Sequence, residues 1–89
     1  VYYTCSKNLE IPDDGNEYTQ VDVVLLDDSG NTLNTQSAAV TDNTPYVKYQ
    51  VTDIPDISFG TLKVTWSFVD EDGETQTTET SEKVTFTQQ

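Results

Sequence analysis

The run Gly60-Thr61-Leu62-Lys63-Val64-Thr65-Trp66-Ser67-Phe68-Val69, closed by Asp70-Glu71-Asp72-Gly73, constrains this chain more than any other stretch. Leu62, Val64, Trp66 and Phe68 alternate with Lys63, Thr65 and Ser67. Side chains of a β-strand point to opposite faces in turn, so a period of two puts the four large apolar groups on one face. The acidic, Gly-bearing cluster that follows is a tight turn signal. A strand with one apolar face has to pair with neighbours and lay that face on a second layer.

The rest of the chain repeats the pattern more weakly. Val1–Cys5 reads as a first strand with Val1, Tyr3 and Cys5 on one face. Residues 6–17 read as a loop, with Pro12 and Asp13-Asp14-Gly15-Asn16 as turn formers and Leu9 and Ile11 packing back from it. Tyr18–Asp27 is a second strand with Val21, Val23 and Leu25 inward, and Asp28-Ser29-Gly30-Asn31 is a hairpin turn. Val24 and Leu26 fall on the other face, which implies some cover there. Thr32–Thr41 is a weak strand and Asp42-Asn43-Thr44-Pro45 a turn. Tyr46–Thr52 follows with Val47, Tyr49 and Val51 inward. Asp53–Gly60 reads as a loop whose Ile54, Ile57 and Phe59 plug one end of the core. Glu74–Phe86 is a last strand, almost wholly polar until Val84 and Phe86. No segment carries the i, i+3, i+4 stripe of a helix. Six or seven strands separated by turns predict an all-β fold: one domain, residues 1–89, built as an immunoglobulin-like antiparallel β-sandwich. Thr at roughly one residue in six, with frequent Val, agrees with strands.

Charge narrows the function classes. Sixteen acidic residues stand against four basic ones, all Lys, for a net charge of −12. Nucleic-acid binding needs cations against phosphates, so no nucleic-acid partner is expected. An anionic membrane surface would repel the chain, and no run approaches the ~18 apolar residues of a membrane span. The absence of His removes His-dependent catalysis and Cys/His zinc sites. Such acidity also suits a protein from a saline habitat, where loss of the fold at low salt would be expected. Cys5 is the single cysteine and reads as a small buried hydrophobe of the first strand. The chain begins at Val1 rather than Met, as a processed or excised piece would.

Three acidic turns recur: 13–17, 27–31 and 70–74. Asp, Asn and Gly are ordinary turn formers, and that reading takes precedence. Calcium is the one cofactor these turns could serve, with Asp70, Asp72 and Glu74 as ligands, because a hard cation seeks carboxylate oxygens. The match to an EF-hand loop fails further along. Paired carboxylates can run acid–base hydrolysis, but only where a cleft pushes their pKa values apart. Carboxylates on turns are solvated, so no enzyme is expected. Most of the nine aromatics read as core, Trp66 above all. Tyr2 and Tyr46 fall on the opposite faces of their strands and are the candidates for an exposed contact. The polar segment Glu74, Thr75, Gln76, Thr77, Thr78, Glu79 is either a solvated edge protected by charge or an edge that extends a neighbour's sheet.

These residues carry a resemblance. The stretches TQVDVVLLDDSGNTL, GTLKVTWSFVDEDGETQTT and EKVTFT resemble the small Ig-like β-sandwich modules of tailed-phage structural proteins, in baseplates, tails and head–tail regions. The resemblance is a pattern of strands and turns over most of the chain, without an invariant motif. It implies a non-enzymatic assembly module in a virion, partnered by itself or by other particle proteins and forming a homo-oligomer in its assembly. Bacterial and archaeal cell-surface or adhesive repeats, which bind a glycan or a protein outside the cell, share the pattern and stand as the alternative.

Overall fold

A computed structural model describes residues 1–41 and 45–89; the turn expected at Asp42, Asn43 and Thr44 lies outside the described residues. Seven strands follow in order: β1 (Tyr2–Glu10), β2 (Gln20–Leu26), β3 (Thr32–Ala39), β4 (Tyr46–Pro55), β5 (Phe59–Val69), β6 (Thr75–Thr85) and β7 (Thr87–Gln88). They form two antiparallel sheets, β4-β1-β7 and β3-β2-β5-β6. The chain is therefore an all-β, two-layer sandwich. The two clearest turn signals make the two hairpins of the larger sheet. Gly30 (φ 87°) and Gly73 (φ 80°) take the left-handed backbone that each turn requires.

The alternating run is β5, between β2 and β6. Val21, Val23 and Leu25 pair directly with Trp66, Val64 and Leu62, so all six point the same way. Opposite them, Cys5, Leu9, Tyr49 and Ile54 close the core from the smaller sheet. The Tyr49 hydroxyl is satisfied by the Asn34 side chain at 3.1 Å. Val84 and Phe86 seal one end as the chain passes from β6 in one sheet to β7 in the other. A strand that changes sheets in this way makes a corner of the sandwich.

Several expectations need correction. The first strand does not stop at Cys5: it runs to Glu10, and Leu9 is buried from the strand rather than from a loop. Its polar Lys7, Asn8 and Glu10 hid it, yet pairing with β4 from Cys5↔Val51 to Glu10↔Tyr46 settles the conformation. The segment 53–60 is largely strand as well. Two steps along β1, Tyr3 to Cys5, oppose three along β4, Ile54 to Val51, and Asp53 has φ 60° within this bulge. An extra residue bends a strand locally, and here β4 continues past it to Pro55. Ile54 is buried and Ile57 half-buried as expected, but Phe59 starts β5 and is 48% exposed, so it plugs nothing. Val1 is exposed rather than sharing the inward face of Cys5. β7 had no signal in the sequence.

The molecule measures 48 × 26 × 17 Å. Its radius of gyration, 14.2 Å, exceeds the roughly 12 Å of a compact chain this long. The cause is the β5–β6 ladder, eleven pairs from Phe59↔Thr85 to Val69↔Thr75, against seven from β2 to β5. The Phe68–Val69 end of that hairpin projects past β2.

Candidate functional site

The projecting hairpin is covered from one side by the connection between β1 and β2. Tyr18 does this from outside the regular strand, which begins at Gln20. Its ring meets Phe68 edge-on (5.3 Å, 86°) and tilts over Trp66 at 6.2 Å. Its hydroxyl donates to Asp14 Oδ2 at 2.7 Å and lies 2.7 Å from Thr78 Oγ1, which then donates to it. A buried phenol needs such partners. The sequence offered Tyr18 only as one aromatic among nine.

The polar segment 74–79 divides by face. Thr75, Thr77 and Glu79 pair with Val69, Ser67 and Thr65 and look outward. Glu79 also reaches Lys63 Nζ at 3.7 Å. Gln76 and Thr78 pair with Phe68 and Trp66 and look inward. The Gln76 amide donates to Asp70 Oδ2 at 2.9 Å, and Thr78 holds Tyr18. Glu74 closes the turn through its backbone. β6 is an edge of its sheet, as the sequence suggested.

Tyr2 and Tyr46 are both exposed, by 55% and 43%, but the structure does not bring them together. They pair with Pro55 and Glu10, at opposite ends of the β1–β4 ladder. Eight residue steps of about 3.3 Å separate those ends by roughly 26 Å. Cys5 is buried, and burial pushes its thiol pKa up, against a smaller pull from Lys7. A raised thiol is a poor nucleophile, which fits a core residue.

The acidic turns are locked by their own carboxylates. Asp70 Oδ1 accepts the backbone N–H groups of Asp72 and Glu74, both at 2.9 Å. Asp27 Oδ1 does the same for Ser29 (2.9 Å) and Asn31 (2.8 Å). Among the described residues no three His, Cys, Asp or Glu side chains converge for a metal ion. Of the three ligands suggested for calcium, Asp70 is committed to the turn. These bonds favour the ionised form, so all three turn carboxylates sit below the ordinary carboxylate pKa. The leading causes are the Tyr18 hydroxyl for Asp14, the Asn31 N–H for Asp27 and the Gln76 amide for Asp70.

A depressed folded pKa contributes stability above the ordinary value of about 3.9 and loses it as pH falls through the folded value. Thermal stability should therefore drop as pH falls below about 4. Asp27→Asn should lie below the parent chain at pH 7. The gap between their melting temperatures should close as pH falls toward 2, within the range where Asp27 itself becomes protonated. A gap that stays constant with pH would refute the assignment.

Among the described residues the smaller sheet places no strand over β6. β7 pairs with β1 only at Tyr3 and Thr4. Among the described residues nothing pairs with that edge of β1 from Cys5 to Glu10. Below the gap, Thr80 and Glu82 of β6 pair with Val64 and Leu62 and so face inward, yet both are exposed. The result is an open groove of about 390 Å³ between β1 and β6, with Val64 and Trp66 among its lining residues. Lys7 Nζ crosses it to Glu82 Oε2 at 3.0 Å. The available signal was the succession Gln76, Thr78, Thr80, Glu82 in register with an apolar strand face, where a covered sandwich would place hydrophobes.

Comparison of the chain with protein-family models, curated proteins and solved structures finds no match to any of them.

Proposed function

We propose that this chain is a non-enzymatic structural module that acts through protein–protein contacts, of the kind found in tailed-phage particles. The observation that carries the reading is β6, an eleven-residue edge strand that is polar on both faces over most of its length. Unpaired backbone along such a strand is a template for another chain. The ionisable groups support the same reading. The shifted turn carboxylates are held ionised, so none is poised as a general acid, and burial pushes Cys5 and Tyr49 away from ionisation.

The immunoglobulin likeness is one of architecture: four strands face three in both. A constant-type immunoglobulin domain, however, groups its first, second, fifth and fourth strands against its third, sixth and seventh. Here the third, second, fifth and sixth face the fourth, first and seventh.

The test is the solution mass by light scattering, at low salt and at 1 M. A net charge of −12 opposes self-association, and salt screens it. A discrete multimer that strengthens with salt is expected, with a ring number such as five, six or twelve pointing to a symmetric particle. Tyr2→Ala and Tyr46→Ala should each shift thermal stability by no more than about 0.5 kcal/mol, as exposed substitutions do. Each should weaken the association. A monomer under all conditions would move the reading to the adhesive repeat.

A further inference from the structure

We propose that the groove between β1 and β6 takes an extended, Lys- or Arg-bearing segment of a partner protein, which adds to the free edge of β1 as the missing strand. The inference deepens the protein–protein reading and rests on it. Backbone direction supports it first. On this side the Tyr2 carbonyl accepts from Gln89. Alternation along an unbroken strand turns the backbone groups of Ser6, Asn8 and Glu10 the same way, toward the gap. The opening from Cys5 to Glu10 accommodates about six residues, roughly 20 Å of extended chain. Tyr18 and the connection carrying it limit one end, and Phe86, crossing between the sheets, limits the other.

The lining selects the occupant. An added strand would lie over a floor that includes the buried Val64 and Trp66, with alternate side chains beside Thr80 and Glu82. Glu10 and Glu82 outnumber the single cation there, Lys7, which Glu82 already engages. The whole chain carries −12, so a second copy brings like charge to an acidic groove. The chain's own end does not fill it either. β7 runs antiparallel to β1, and its direction after Gln88 leads toward Tyr2 and away from Glu10. A basic, alternating segment of another protein satisfies both the backbone and the charge.

The probe is a capped heptapeptide, Lys-Thr-Val-Thr-Val-Thr-Lys, whose Lys and Val side chains share one face when extended. Trp66 is the only tryptophan and lies buried at the floor of the groove, so its fluorescence reports binding through changes in its packing. Saturable binding is expected, with amide shifts confined to Ser6–Glu10 and the neighbouring part of β6. The Glu-ended analogue should bind at least tenfold more weakly. Asn8→Pro, which removes an N–H on the open edge and none that β4 uses, should also weaken binding at least tenfold. Glu82→Gln should weaken it several-fold and serves if the proline variant fails to fold. No Trp66 response and no shifts at Ser6–Glu10 with millimolar peptide would overturn the inference. So would equal binding of both peptides, or shifts at Ser6–Glu10 that appear on concentrating the chain alone. A salt-strengthened multimer alongside a silent groove would defeat this inference and leave the assembly reading standing. A monomer that binds the peptide would do the reverse.

Discussion

Replacing Trp66 by alanine is expected to destabilise the chain by about 3–5 kcal/mol, the usual range for a buried Trp or Phe cut to alanine. Trp66 is 2% exposed on one of the two inner strands of its sheet, paired with Val21 on one side and Thr78 on the other. Its ring also supports Tyr18, which joins the β1–β2 connection to β6 through Asp14 and Thr78. The void would open onto the groove between β1 and β6, so water would reach the inner face of β5. A domain of this size has a total stability of about 4–13 kcal/mol. Much of it would go with one side chain. Urea denaturation followed by circular dichroism measures the effect, since the fluorophore is lost with the mutation. A cost below about 1 kcal/mol would mean that the ring is not the centre of the core.

Gly60→Ala should be the most costly glycine substitution, at about 3 kcal/mol, the upper part of the overpacking range. A Cβ at this position would run into the Leu26 carbonyl oxygen and sit 3.0 Å from Phe86 Cζ. The aromatic ring can shift, but the carbonyl belongs to β2, which is held along seven pairs to β5. The constraint at Gly60 is therefore space rather than backbone angle. Gly30 and Gly73 pose the opposite case: φ is positive, and a Cβ there would meet nothing within 4 Å. Alanine there costs only backbone strain, about 1 kcal/mol. Thermal melts of Gly60→Ala and Gly30→Ala separate the two causes. Equal losses would show that crowding at Gly60 is relieved by small shifts.

Much of the sandwich was legible in local pattern. The inward set Val21, Val23 and Leu25, the inward Leu62, Val64 and Trp66, and both Gly-bearing hairpin turns follow from a period of two and from turn chemistry. These are properties of neighbouring residues, and a sequence displays neighbours. Ser6–Glu10 and Asp53–Pro55 were misread because their composition is that of a loop. Pairing between β1 and β4 overrode it, through residues about forty positions apart. Tyr18 shows the same limit. Its aromatic neighbours lie some fifty residues away and Thr78 sixty, and no local rule connects them.

By itself, then, the sequence determined the strands of the larger sheet, the faces that β2 and β5 bury, the hairpins from β2 to β3 and from β5 to β6, and a net charge of −12. Alternation and turn residues suffice for those, because the energy that decides them is local. Only the tertiary structure decided how the strands divide between sheets. It also decided that Tyr2 and Tyr46 stand far apart and that β7 joins β1 only from Thr87, opposite Thr4, once the chain has crossed from β6 at Phe86. The groove follows from that crossing, which among the described residues leaves this edge of β1 unpaired from Cys5 to Glu10. Whether an inward-facing Thr80 or Glu82 is covered depends on a strand in the opposite layer, and the polar succession along β6 does not say where that layer ends.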